Sequence, residues 1–181
     1  MYIITFVLQS LYFILPAYFA NMAPVIVRNF FKKLAVPVDF GKKLGNMPLF
    51  GEHKTYRGLI FGVLFAIAIT FLQYLLYSAN FLPQLAIVDY SNWLLLGFLL
   101  GAGAMTGDLA KSFFKRRLNV DSGKPFIPFD QMDFIIGALL LSYPIADISF
   151  EKMGIILLIS FVLHIIVNHI AFYTGIRKEK W

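Results

Sequence analysis

The stretch LIFGVLFAIAITFLQYLLY, Leu59–Tyr77, runs for nineteen residues without a single charge. A helix needs about 20 predominantly apolar residues to cross the hydrocarbon core of a bilayer. A run that is apolar on every side has no face to offer water, so this segment reads as a membrane-spanning helix. The rest of the chain agrees. Its 181 residues are 59% hydrophobic and only 14% charged, whereas soluble domains are nearer half apolar and about a quarter charged. The mean hydropathy is +0.74. The chain contains no cysteine, which removes disulfides and thiolate metal sites from consideration.

Four further apolar blocks flank this one: Tyr2–Val27, interrupted by Pro16 and Pro24, then Trp93–Phe114, Met132–Ile148 and Met153–Tyr173. The first is too long for a typical signal peptide and is followed by no small-residue cleavage site, so it counts as a span. The expected fold is all-α: one polytopic integral membrane domain over residues 1–181, with five transmembrane helices.

The polar segments alternate in charge. Residues Arg28–Arg57 carry seven Lys/Arg, Lys111–Lys124 carry five, and the C-terminal tail adds Arg177, Lys178 and Lys180. The segments between them, Ser78–Asn92 and Ser149–Lys152, hold only Lys152. The positive-inside rule then places the N-terminus outside and the C-terminus in the cytosol, with cytosolic loops at 28–58 and 111–130. Odd span number and charge bias agree. The net charge of +6 sits in loops between apolar blocks, so anionic lipid or a phosphate-rich substrate is the expected partner rather than nucleic acid.

The most polar part of the chain is GDLAKSFFKRRLNVDSGKPFIPFDQMD, Gly107–Asp133. It places Asp108 inside the cytosolic end of the third span, and Asp130 and Asp133 three residues apart at the start of the fourth. Two residues three apart share a helical face. Converging carboxylates repel unless a cation intervenes, and oxygen ligands suit Mg²⁺ or another hard divalent ion. Each acid also has a plainer reading: Asp130 as a helix N-cap, Asp133 in the favourable first turn, and Asp108 paired with Lys111 or Lys115. Glycines at positions 97, 101, 103 and 107 let helices pack closely in lipid and make the third span a rigid mount for Asp108.

Basic residues surround these acids. Lys111, Lys115 and Arg116, with Ser112 among them, are either a solvated positive-inside flank or a polyphosphate cradle. The loop GKKLGNMPLFGEHKTYRG, Gly41–Gly58, offers backbone amides at its glycines and positive charge at Lys43, Lys54 and Arg57. It lacks the GxxxxGK[ST] pattern. Thr55 and Arg57 fall at a helix N-terminus, a favourable place for phosphate; a glycine-rich connector is the competing reading. Asn21 lies near the cytosolic end of the first span and is placed at the same site. His164 and Asn168 share a face of the fifth span, beside His169, and read first as packing residues. Gln9 reads as an interhelical hydrogen bond.

The segment Gly107–Asp133 resembles the motif of the CDP-diacylglycerol synthase family, membrane CTP:phosphatidate cytidylyltransferases. That motif has a serine, Lys-Arg three residues on, and a terminal Asp-Arg-x-Asp. Ser112, Lys115 and Arg116 match its first part, Asp130 and Asp133 its end, and Asp108 the aspartate of a preceding Gly-Asp pair. HKTYRG is similar to the family's upstream Lys-Thr-x-x-Gly. Asp121-Ser122 replaces Lys-Asp, Phe126–Phe129 stands where His-Gly-Gly is expected, and Gln131 replaces the arginine. With LPAYFANMAPV and GKPFIPFDQMDF these departures look like the archaeal branch, the CDP-archaeol synthases.

The resemblance implies transfer of a cytidylyl group from CTP to the phosphate of an unsaturated isoprenoid ether lipid, with release of pyrophosphate. It implies one or two Mg²⁺ on Asp108, Asp130 and Asp133. It also implies a triphosphate held by Lys111, Ser112, Lys115 and Arg116 together with Lys43, Lys54, Thr55 and Arg57, with Asn46 and Asn21 as candidates for contacts to the base. A CDP-alcohol phosphotransferase would need Asp-x-x-Asp-Gly-x-x-Ala-Arg, which Gln131 and Phe134–Gly137 do not supply. A cation transporter would need acids spread through the membrane depth.

Overall fold

The computed structural model describes residues 2–121, 124 and 126–174. Five helices account for most of it: α1 (Tyr2–Ile26), α2 (Tyr56–Ser78), α3 (Trp93–Arg117), α4 (Phe129–Ala146) and α5 (Phe150–Tyr173). Their bounds fall within a few residues of the apolar blocks. The clearest difference is at α3, which continues helical through Lys115, Arg116 and Arg117 instead of giving way to a loop at Lys111. Those three cations close the last turn of the helix, where the macrodipole favours positive charge.

Among the described residues, four helices contain segments long and apolar enough to cross a membrane: Ile3–Ile26, Tyr56–Ser78, Trp93–Arg117 and Phe150–Ile170. The fourth helix of the chain, α4, has 18 residues and opens on Asp130 and Asp133. At 1.5 Å per residue it is about 27 Å long, just under the ~30 Å hydrocarbon core.

The order in space follows the order in sequence. Helix α3 packs most extensively against α4 and α2, and α2 against α1. Gly58 and Gly62 of α2 lie against Pro24 and Ala20 of α1, Gly97 and Gly101 of α3 against Ile67 and Val63 of α2, and Gly103 and Gly107 of α3 against Ala138 and Asp133 of α4. Each of these pairings is antiparallel. The core they enclose is built on Phe13 and Ile14 of α1, Leu100 and Ala104 of α3, and Phe134 and Ile135 of α4, all fully buried. Large apolar side chains such as Leu64, Leu72, Leu140 and Leu158 point outward, as lipid-facing surfaces require.

Among the described residues, the connection between α1 and α2 is the one place where strands form. Lys43–Leu44 (β1) and Met47–Pro48 (β2) form a two-stranded antiparallel hairpin, with Lys43 opposite Pro48. Gly45 takes φ +62 in its turn, a left-handed conformation that glycine adopts freely. The hairpin is clamped to the end of α3 by Arg117, whose guanidinium donates to the carbonyls of Leu44 (3.1 Å), Met47 (3.4 Å) and Pro48 (2.5 Å). At the opposite end of the bundle Tyr90 is fully buried against Tyr12 and Tyr77, each with ring centroids 5.9 Å away. Gln9 of α1 donates to the backbone carbonyl of Gln84 (2.7 Å), which lies in a short 3-10 helix, Pro83–Leu85, of the α2–α3 connection. The tail cations Arg177, Lys178 and Lys180, and Ser122, lie outside the described residues.

Candidate active site

The site begins with two glycines. A Cβ on Gly107 would collide with the Asp133 backbone carbonyl, and one on Gly137 would collide with Gly103. Only hydrogen side chains allow α3 and α4 to approach this closely. The approach brings Asp108, the residue after Gly107, beside Asp133 and Asp130 of the neighbouring helix.

What lies between the carboxylates is an ammonium group. Lys111 Nζ stands 3.2 Å from Asp108 Oδ1, 3.2 Å from Asp130 Oδ1 and 2.9 Å from Asp133 Oδ2. Lys54 closes on Asp108 Oδ2 from the other side at 2.5 Å. Lys115 approaches Asp130 at 3.7 Å and donates to the Lys124 carbonyl. The Asp133 side chain is 6% exposed and that of Lys111 14%. Three mostly buried carboxylates are therefore stable here because cations surround them; unpaired, each would carry a desolvation cost of several kcal/mol. Asp130 does not cap α4, whose N-cap is Pro128. Its Oδ2 instead accepts from the Phe126 amide at 2.6 Å, which folds the preceding loop back over the helix start.

Beside this cluster is a cavity of about 210 Å³, bounded by Phe50, Gly51, His53 and Lys54 of the α1–α2 connection and by Lys111, Ser112, Lys115 and Arg116 of α3. Four cations line it, and Arg116 Nε is buried with no hydrogen-bond partner among the described residues. The loop that forms one wall is organised by Asp39. Its carboxylate accepts from the amides of Gly41 (2.9 Å), Phe50 (3.0 Å) and Gly51 (3.4 Å). Burial pushes the Asp39 carboxyl up, but these amide bonds outweigh it and hold it below the ordinary aspartate value.

The structure brings together Asp108, Asp130, Asp133, Lys54, Lys111, Ser112, Lys115 and Arg116. It does not bring in five other residues assigned to the site from sequence. Lys43 and Asn46 are exposed on the hairpin, outside the cavity. Thr55 is the N-cap of α2, its hydroxyl accepting from Gly58 N at 3.3 Å, and it lies outside the cavity lining. Arg57 turns away and donates to the carbonyls of Arg28 (2.8 Å) and Phe30 (3.0 Å), holding the end of α1. Asn21 faces α5 and lines a separate groove with His164 and Asn168. His169 bonds back to the Ile165 carbonyl of its own helix.

Sequence reasoning missed Phe50, His53 and Asp39. His53 stands directly before Lys54, which was a usable signal. Asp39 had none, because its partners are backbone amides up to twelve residues away.

Fold and cluster together define a multi-pass membrane enzyme whose polar site is built at one end of the helix bundle, where α3 meets α4. The family model described as CarS-like, CDP-archaeol synthase, matches residues 3–181. The CDP-archaeol synthase of Methanocaldococcus jannaschii is 39% identical over 177 residues, covering 95% of this chain and 96% of that one. The CDP-archaeol synthase of Thermococcus onnurineus is 39% identical over 176 residues, covering 96% of each. A solved structure of an intramembrane enzyme for archaeal membrane lipid biosynthesis superposes with a TM-score of 0.73 at 30% identity, over 90% of this chain and 94% of that one. The chain belongs to the CDP-archaeol synthase family, and it is a nucleotidyltransferase.

Proposed function

We propose that the protein transfers a cytidylyl group from CTP to the phosphate of an unsaturated isoprenoid ether lipid, giving CDP-archaeol and pyrophosphate, at the cytosolic face of the membrane. The observation that carries this reading is the position of Lys111. Its ammonium is ringed by three carboxylates and at the same time forms part of the wall of a four-cation cavity. A cavity of about 210 Å³ is below the ~300 Å³ at which whole small-molecule pockets begin; it suits a polyphosphate better than an entire nucleotide.

In this mechanism Lys54, Ser112, Lys115 and Arg116 hold the triphosphate and orient its α-phosphorus. An oxygen of the lipid phosphate attacks that phosphorus. The bond to the β-phosphate breaks, and pyrophosphate leaves with the electron pair. The nucleophile is already an anion, so no side chain has to remove a proton. Positioning and charge neutralisation supply the catalysis.

The three aspartates also fit a hard divalent cation. All the converging donors are carboxylate oxygens, and they already surround one positive group. Among the described residues no set of acids or histidines is closed to metal-ligand geometry; the Lys111 ammonium occupies the space between these carboxylates. Asp108, Asp130 and Asp133 would hold Mg²⁺, one ion or two, which when bound neutralises charge on the phosphates.

Five membrane crossings, with the N-terminus outside, accompany this reading. Each of α2–α4 runs antiparallel to its predecessor, which supports α4 as a return crossing despite its length. A cation transporter fits less well. The helical segments Tyr2–Ile26, Gly58–Ser78 and Trp93–Gly107 carry no acid that could pass an ion outward.

The test is pyrophosphate release by detergent-purified protein given CTP, Mg²⁺ and an unsaturated ether-lipid phosphate, with Asp133→Asn run alongside. Release that requires both CTP and lipid, and falls at least about 10²-fold in the variant, is expected. No release from folded wild-type protein with any lipid phosphate would overturn the assignment.

A further inference from the structure

We propose that the α1–α2 connection carries a second lipid contact, separate from the substrate: residues Arg28–Leu44 form a rigid surface that docks on the anionic headgroups of the surrounding leaflet. The surface is built from two copies of one short pattern. Phe31-Lys32-Lys33-Leu34 is followed by Phe40-Gly41-Lys42-Lys43-Leu44, each with an aromatic residue, a lysine pair and a leucine. In both copies the aromatic residue has a left-handed backbone, Phe31 at φ 48 and Phe40 at φ 50. A bulky side chain is strained there, and such strain persists only where the surroundings enforce it. Both rings stand outward, 56% and 66% exposed, with Phe30 and Leu44 exposed beside them. On a membrane-spanning helix exposed apolar side chains meet lipid; on a polar connection they mark a contact surface.

Depth and charge identify the partner. Phe31 packs against Phe61 with ring centroids 4.5 Å apart, and Phe40 against Tyr56 at 5.5 Å. Tyr56 opens α2, and Phe61 lies five residues further in, about 7.5 Å at 1.5 Å per residue. The chain that leaves α1 at Ile26 therefore turns back beside the end of a membrane-spanning helix, at the headgroup level where aromatic side chains collect. Around the rings stand Arg28, Lys32, Lys33, Lys42 and Lys43, all exposed. Among the described residues none of these five forms an ion pair. Asp39 is the only acid from Arg28 to Gly51, and it is turned inward onto the amides of Gly41, Phe50 and Gly51. Roughly four to eight cations beside the end of a spanning helix are the pattern that anionic lipid recognises.

The surface is also held in shape before any lipid arrives. Asp39 ties the second copy to Phe50 and Gly51, and Arg117 clamps the hairpin that begins at Lys43. Little ordering is left for binding to offset. None of the five cations lines the cationic cavity, which keeps this contact apart from the reacting groups.

The chain has no cysteine, so a nitroxide attached through Ala35→Cys, an exposed position between the two copies, reports the depth of this surface alone. The labelled full-length protein would be embedded in discs of phosphatidylcholine, with phosphatidylglycerol raised stepwise to half of the lipid. Collision with oxygen, which concentrates in the bilayer, and with a water-soluble nickel chelate measures immersion. Immersion should increase with phosphatidylglycerol and be reversed by molar salt, which cuts the Debye length to about 3 Å. Lys32→Gln, Lys33→Gln, Lys42→Gln and Lys43→Gln combined should raise the phosphatidylglycerol fraction at half-maximal immersion at least about fivefold, the factor that one such lysine is worth. The same four positions changed to arginine should keep the wild-type response. A nitroxide at Ser91→Cys, in the α2–α3 connection, should ignore phosphatidylglycerol.

A label at Ala35→Cys that stays in water at every lipid composition, as it would on a face kept free for an acidic soluble protein, overturns the proposal. Immersion that is equal in neutral lipid, or that survives the glutamine variant, overturns it as well. The measurement needs neither CTP nor turnover, so its failure and that of the cytidylyltransferase assignment are distinguishable.

Discussion

Lys111 holds together three carboxylates that would otherwise repel one another. Its pairing with Asp108 at 3.2 Å is the ordinary i,i+3 contact that the sequence allowed for. The contacts with Asp130 and Asp133 come from another helix, and no spacing within one segment could announce them. Lys54 is a similar case, reaching Asp108 across 54 positions of sequence. The acids were legible because charged residues beside membrane-spanning sequence are costly and need a reason. The cation between them was not. Lys111→Met removes that charge while keeping most of the volume, and leaves three carboxylates facing one another. Breaking a buried ion pair costs 3–5 kcal/mol, and the partial exposure here favours the lower end, about 3 kcal/mol. Without divalent cation the variant should unfold several degrees below wild type in a detergent thermal scan. Millimolar Mg²⁺ should then restore the variant by more than it raises the wild type, because the carboxylates are free to bind it. A variant destabilised as expected but indifferent to Mg²⁺ would argue against these aspartates as the metal ligands.

Helix α3 shows why identical motifs can do different work along one helix. Gly97 and Gly101 face α2, whereas Gly103 and Gly107 face α4. The six-residue offset from Gly97 to Gly103 turns the helix by about 240° at 3.6 residues per turn. The sequence showed two small-residue pairs and suggested close packing. It did not say that one pair serves the bundle and the other sets the distance between Asp108 and Asp133. Gly107→Ala separates these roles. The new Cβ would strike the Asp133 carbonyl, with Gly137 Cα 3.3 Å away; both are backbone atoms that cannot swing aside. The cost should be about 1–3 kcal/mol of overpacking. The resulting shift of α3 against α4 displaces the aspartates, and a misplacement of about 1 Å can cost 10²-fold in rate. Gly154→Ala on α5, where a Cβ meets no atom within 4 Å, should leave both stability and pyrophosphate release unchanged. A Gly107→Ala protein with full activity would show that the site does not depend on this approach.

The molecule as a whole was legible wherever free energy depends on local composition, and illegible where it depends on distant partners. Long apolar runs fixed five helices to within a few residues, because transfer to hydrocarbon is decided segment by segment. The hairpin at Lys43–Pro48 was missed because its docking relies on Arg117 and its loop on Asp39, each of which acts across the fold. The proposed orientation rests on local composition as well, on the seven Lys/Arg of Arg28–Arg57 against none in Ser78–Asn92. The chain has no cysteine, so a single introduced thiol reports its own side of the membrane without background. Ser91 and Lys33 are both exposed, one in each of these connections. In intact cells, a membrane-impermeant maleimide should label Ser91→Cys directly, and Lys33→Cys only after permeabilisation. That pattern would put the α1–α2 connection, and with it the cationic cavity, on the side where CTP is found. The reverse pattern would leave the site facing outward, away from nucleotide, and would count against the cytidylyltransferase reading as strongly as a failed assay.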